Sequence, residues 1–230
     1  YEFCTCIWSK IAKYSSDPTI DPILIWTEIQ SFIEGSAQAL ESKNGFLSEE
    51  EYETIGKKQA SNFPFERKEV YKLFTEYKKE IRHKNNRHQF DNGEYIRNLN
   101  KRLIAKGLQN LPWTFHELYI DETQDFTQAE LAVILKCCQD PNRSFLAGDT
   151  AQTIIKGISF RFEDLKSLFH NGLNIPGVKC NTPSLQTLTT NHRSHSGITD
   201  LATSLTDLLK EYFPYSFDCN NIPKDQSNIR

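Results

Sequence analysis

Between Glu117 and Asp149 two short runs, the apolar Leu118–Ile120 and the "RSFLA" of Arg143–Ala147, are each followed closely by acids, with a helix start between them. The helix start is Thr127-Gln128-Ala129-Glu130, a capping box in which hydroxyl and carboxylate satisfy each other's backbone N–H groups. A strand, a helix and a second strand packed so closely in sequence predict a βαβ unit, and βαβ units pair their strands in parallel. The strands are expected at Glu117–Asp121 and Arg143–Ala147, with a helix from Thr127 to about Cys138 and a turn at Asp140-Pro141-Asn142. A helix over Phe162–Phe169, a third strand at Leu185–Thr189 and a helix from Ser196 to Glu211 complete the pattern.

The first half reads differently. Ile25, Ile29, Phe32 and Ile33 predict a helix from about Pro22 to Leu40, and Ser48-Glu49-Glu50-Glu51 opens a shorter one. Val70, Leu73, Phe74, Tyr77 and Ile81 form one apolar stripe on a charged helix. Asp91 to Lys106 predicts another, with Tyr95, Ile96, Leu99, Leu103 and Ile104 inward and a polar loop before it. The fold class is therefore α/β, a partial parallel sheet preceded by a helical subdomain. Residues 1–107 are expected to be that helical part, 108–211 the α/β part, and 212–230 a linker or the start of a further domain.

Open parallel sheets bind ligands at the carboxyl ends of their strands. All three expected strands end in polar groups there: Asp121-Glu122, Gly148-Asp149 with Gln152, and Asn191-His192-Arg193. That set suits phosphoryl transfer, which needs a metal anchor, a group that orients water, a γ-phosphate contact and a cation for developing charge. Asp121 and Glu122 can hold a divalent metal, Glu122 can polarise water, Gln152 can report on the γ-phosphate, and Arg193 can neutralise charge.

The stretches "YIDETQD", "LAGDTAQTI" and "LTTNHRS", in this order, resemble motifs II, III and IV of superfamily 1 UvrD/Rep-like DNA helicases. "GDTAQTIIKGISFRFEDLKSLF" looks still more like the helicase-type region of large TPR-and-ankyrin-repeat-containing proteins. The resemblance implies a RecA-like P-loop NTPase sheet, ATP and Mg²⁺ as cofactors, and single-stranded nucleic acid, DNA in this family, as partner. It implies Walker B roles for Asp121 and Glu122, and γ-phosphate roles for Gln152 and Arg193. It places Asp149 beside the nucleotide and His192 where relatives stack an aromatic on the adenine. The helical half corresponds to the accessory subdomain inserted in the first motor domain, with a second motor domain expected in the same polypeptide.

The phosphate-cradling loop G-x-x-x-x-G-K-[ST] has no match; Gly56-Lys57 is preceded by Glu51 in the first glycine position and followed by Lys58. With no Met and Tyr1 at the start, the chain is expected to be a piece of something longer, the cradle lying upstream. The alternative is a non-catalytic, helicase-derived scaffold in a large repeat protein; a weaker one is a nuclease-coupled or RNA-directed relative. The longest apolar run, Leu131–Leu135, cannot cross a bilayer, so an intracellular protein, nuclear or cytoplasmic, is expected. The cysteines at 4, 6, 137, 138, 180 and 219 lack disulfide or zinc spacing. Formal net charge is −3, yet twelve basic residues face six acids between Glu66 and Lys106. The basic run at 78–88 offers a nucleic-acid backbone contact or, more plainly, a solvated helix end.

Overall fold

The computed structural model describes residues 3–59, 63–84, 91–108, 115–152, 159, 161–173, 175–188 and 190–212, in which the apolar pattern resolves into two cores. Residues 85–90, Trp113, Thr189, Cys219 and the expected linker beyond Tyr212 lie outside them. The N-terminal helix α1 (Trp8–Ile11) follows a π-helical turn at Phe3–Ile7. Helix α2 (Pro22–Thr27) begins at Asp21, whose carboxylate accepts the Ile23 N–H at 2.7 Å, with Pro22 at the first helical position, where its missing N–H costs nothing.

The long helix expected from Pro22 to Leu40 is interrupted. After α2 the chain widens into a π-helix, Glu28–Ile33, turns at Glu34-Gly35-Ser36, and restarts as α3 (Ala37–Glu41). The cause is tertiary. The Gly35 carbonyl accepts the Ala129 N–H at 2.8 Å, and a Cβ at Gly35 would strike the Gln30 carbonyl and the Thr127 side chain. Apolar periodicity runs through this turn unbroken, because Ile33 serves the first core and Ala37 and Leu40 the second.

Helices α4 (Glu49–Gln59) and α5 (Arg67–Lys84) complete the first core. The Ser48 box forms as expected: Glu51 accepts the Ser48 N–H at 2.8 Å and Ser48 Oγ accepts the Glu51 N–H at 3.3 Å. Val70, Leu73, Phe74 and Tyr77 are buried in one stripe, and Trp8 and Trp26 pack beside them. Burying that aromatic and aliphatic surface is the main force holding these short helices together, since helices of this length are marginal alone.

Helix α6 (Asn92–Lys106) presents Ile96, Leu99, Asn100 and Leu103 to the second core. Tyr95 and Ile104, expected inward, are 56% and 53% exposed. Each residue turns a helix by about 100°. Positions one before Ile96 and one after Leu103 therefore fall off a stripe fixed by 96, 99, 100 and 103.

Strands β1 (Leu118–Ile120) and β2 (Ser144–Leu146) are parallel, in register Leu118 with Ser144 through Ile120 with Leu146. Helix α7 (Gln128–Lys136) makes the crossover, and its Thr127 box is complete. Inward residues of α7, Leu131, Ala132 and Leu135, are almost fully enclosed. Replacing Thr127 by Ala is expected to cost about 1 kcal/mol in urea unfolding; no measurable loss would mean that the Gly35 contact alone holds this helix start.

Helix α8 (Phe162–Ser167) runs into a π-helical turn at Leu168–Gly172 and closes the second core. The expected third strand is absent as such: residues 185–188 have no ladder partner among the described residues, and Leu188 is 97% exposed. An extended segment becomes a strand only by hydrogen bonding to a neighbour, and β1 and β2 form the sheet without it. Helix α9 (Ser196–Tyr212) forms where expected, but Ile198, Leu201, Leu205, Leu208 and Tyr212 stay exposed along one stripe. None of the helices described is long and apolar enough to cross a membrane.

Candidate active site

Strand β1 stops because Thr123 takes over the ladder. Its N–H and its hydroxyl both donate to the Ala147 carbonyl, at 2.8 and 2.7 Å, while Ala147 N–H donates to Ile120 at 2.8 Å. To bring Thr123 back over β2 the chain turns sharply at Glu122, which adopts a left-handed conformation (φ 51°, ψ 45°). For an L-residue other than glycine this costs about 1–2 kcal/mol. Among the described residues Glu122 alone combines a positive φ with a side chain. The turn leaves Asp121 and Glu122 exposed at the carboxyl end of β1, with Asp121 Oδ1 accepting the Glu122 N–H at 3.0 Å.

Backbone strain of this kind costs stability, and such outliers cluster at functional sites. Glu122→Gly is accordingly expected to raise unfolding free energy by up to about 1 kcal/mol, the lost side-chain hydrogen bond offsetting part of the relief. Thermal melts decide it: a lower melting temperature would show that the Glu122 side chain stabilises more than its conformation costs.

Gln124, only 2% exposed, fills the space under this turn. Its Nε2 donates to Glu122 Oε2 at 2.6 Å, and its Oε1 accepts the Asp149 N–H at 3.0 Å. Gly148 permits that approach, since a Cβ there would lie 2.7 Å from Gln124 Oε1. Beyond β2, Asp149 opens a short 3₁₀ turn, Thr150–Gln152; its carboxylate accepts from Gln152 Nε2 at 2.7 Å and its carbonyl from the Gln152 N–H at 3.1 Å.

Asp121, Glu122, Asp149 and Gln152 are thus gathered at one end of the two-stranded sheet. Arg193 and His192 lie on a separate segment. They stand exposed in a turn organised by Asn191, whose side-chain oxygen accepts the Arg193 and Ser194 N–H groups at 3.0 and 3.2 Å. Neither makes a hydrogen bond or ion pair with the strand ends among the described residues. Residues 185–188 have no ladder with β1 or β2, so among the described residues no strand of this sheet leads into the Asn191 turn.

Gln124 is the site residue that sequence reasoning passed over. Its signal was present: an amide two residues after a strand-end acid, able to donate and accept at once. Gly56-Lys57, examined as a phosphate loop, lies inside α4, where the Gly56 carbonyl accepts from Arg67 at 2.9 Å. Lys78, counted in the basic run, is turned inward against Glu34 and Asp91. Among the described residues no group of three or more His, Cys, Asp or Glu is disposed to hold a metal. Mg²⁺ at phosphate sites needs only one or two carboxylates, the rest of its shell being phosphate oxygens and water, so the exposed oxygens of Asp121 and Glu122 fit that ion.

Comparison with known proteins adds a family and a length. The model of the UvrD/REP helicase N-terminal domain matches residues 15–167, which include both strand ends and stop short of Arg193. TPR and ankyrin repeat-containing protein 1 of Homo sapiens is 46% identical over 223 residues, covering 95% of this chain and 7% of its own length. The chain thus spans a small fraction of the curated relative it matches. No solved structure matches.

Proposed function

The chain belongs to the UvrD/REP helicase N-terminal domain family, and on that premise we propose that it supplies the acidic, phosphate-sensing edge of an ATP-driven nucleic-acid translocase. The observation that carries the reading is the convergence of Asp121, Glu122, Asp149 and Gln152 beyond β1 and β2, with strained backbone at Glu122. Asp121 and Glu122 would hold Mg²⁺, which when bound neutralises charge on phosphoryl oxygens. Glu122 orients and deprotonates the attacking water, and Gln152 contacts the γ-phosphate. Arg193 reaches the same phosphate only after the Asn191 turn moves towards the sheet edge, so closure of a neighbouring motor domain accompanies catalysis.

That neighbour, and the phosphate cradle, belong to the remainder of a longer polypeptide. Two exposed apolar surfaces support the idea that more protein covers this one: the Tyr119–Phe145 pair on the open face of the sheet, and the α9 stripe. Residues 1–107 would be the accessory subdomain and 108–211 the distal part of the first RecA-like domain, working on single-stranded DNA inside the cell. The second reading is a helicase-derived scaffold without turnover, favoured by Gly56-Lys57 being helical rather than a loop.

The 1–230 chain alone is expected neither to hydrolyse ATP nor to melt higher with a Mg-ATP analogue. A longer protein carrying it should show nucleic-acid-stimulated ATPase that Glu122→Gln lowers by about 10²–10⁴-fold. A full-length protein with no turnover and no analogue-induced stabilisation would establish the scaffold instead.

A further inference from the structure

The hydrogen bonds at the strand ends form one continuous line. Gln152 Nε2 donates to the Asp149 carboxylate at 2.7 Å, the Asp149 N–H donates to Gln124 Oε1 at 3.0 Å, and Gln124 Nε2 donates to Glu122 Oε2 at 2.6 Å. Its two ends are the exposed Gln152 and Glu122; its middle, Gln124, is buried. We propose that Gln124 is a positioning residue that couples the side chain of Gln152 to that of Glu122, an inference that rests on the phosphate-site reading above.

The chemistry of the amide is what makes the coupling directional. A backbone N–H can only donate and a carboxylate can only accept, so the Gln124 amide has one permitted orientation, oxygen to Asp149 and nitrogen to Glu122. Glu at this position would accept from Asp149 but repel Glu122. Leu would fill the volume and remove the oxygen to which the Asp149 N–H donates. Gly148 holds the two strand ends close enough for the bridge, and Thr123, anchored twice to Ala147, fixes the turn on which Gln124 stands. When Gln152 turns its amide to a phosphate oxygen, its bond to the Asp149 carboxylate is broken. The 3₁₀ turn then shifts the N–H that orients Gln124, and Glu122 is re-aimed. Phosphate occupancy at one strand end is thereby felt by the acid at the other.

Two measurements test the relay. In the 1–230 chain, the exposed substitution Gln152→Ala should move the Gln124 side-chain NH₂ resonances and speed exchange of the Asp149 amide by about tenfold. The same substitution in a Gln124→Leu background should leave the Glu122 side-chain resonances where Gln124→Leu alone put them. In the longer ATPase, Gln124→Ala and Gln152→Ala should each lower kcat by about 10-fold or more with KM little changed. Together they should cost no more than about threefold beyond the worse single change, because they break one line.

Unmoved Gln124 resonances in Gln152→Ala, or fully multiplicative kcat losses, overturn the relay. The first measurement needs no nucleotide, so its outcome is separable from that of Glu122→Gln on turnover. Coupling without ATPase leaves the relay standing and removes the catalytic reading; ATPase without coupling does the reverse.

Discussion

Lys78→Met is expected to lower the unfolding free energy by about 3–5 kcal/mol, the usual loss when one partner of a buried ionic group is removed. Lys78 Nζ donates to Glu34 Oε1 at 2.7 Å and to Asp91 Oδ2 at 2.8 Å, and the two acids are 3% and 1% exposed at their side chains. Met keeps the length and the apolar stem but leaves Asp91 charged in a dry site. The consequence reaches beyond the pair. Asp91 is the N-cap of α6, accepting the Gly93 N–H at 3.2 Å, and Glu34 immediately precedes Gly35, which is bonded to the start of α7. One ammonium therefore ties α5 of the first core to α6 and the turn that enters the second. Urea unfolding checks the size, and adding Asp91→Asn to Lys78→Met should restore part of the loss. A Lys78→Met protein as stable as the parent would show the carboxyls to be hydrated, contrary to their burial.

These three residues also show where sequence reading stops. Lys78 belongs to a basic run, and nothing local separates a cation facing water from one facing two acids 44 and 13 positions away. The capping boxes at Ser48 and Thr127 were legible because every atom they use lies within four residues. β1, α7 and β2 were legible because short apolar runs flank a helix whose start is marked by its own capping box. The interruption at Gly35 was not, since Ile29, Phe32, Ile33, Ala37 and Leu40 keep a helical rhythm across a turn imposed by Thr127 and Ala129. Leu185–Thr189 had the composition of a strand and lacked the neighbour that makes one. At the site, Asp121, Glu122, Asp149 and Gln152 could be read from motif order. Gln124 stands in the same stretch as an amide beside an acid, but its bridging role was not legible, because it depends on Asp149 and Gly148 arriving from the next strand.

The stability of the protein should fall as pH rises from 6 to 8.5, and Glu34 should be the main cause. Burial raises its carboxyl to about 8, reinforced by the Asp91 charge and opposed by Lys78. The unpartnered Glu34 Oε2 adds to the penalty, since a charged carboxylate has no donor for it among the described residues. Near neutrality the cluster is then one ammonium, one carboxylate and one carboxylic acid, which balances its charge. The sign follows from linkage. With the folded-state value above the unfolded one, the contribution is fully present below the ordinary carboxylate range and is lost as pH climbs through about 8. Within that window each pH unit removes up to about 1.4 kcal/mol per proton, so a drop of roughly 3 kcal/mol is expected across the interval. Burial raises Glu28 as well, against its bonds to Tyr52 and Arg67, and pushes the same way. Glu34→Gln separates the two, because the amide still accepts from Lys78 but cannot ionise. Its unfolding free energy should vary by less than about 1 kcal/mol between those pH values. Parallel pH profiles for parent and Glu34→Gln would place the titrating group elsewhere and remove the Glu34 proton from the account of this junction.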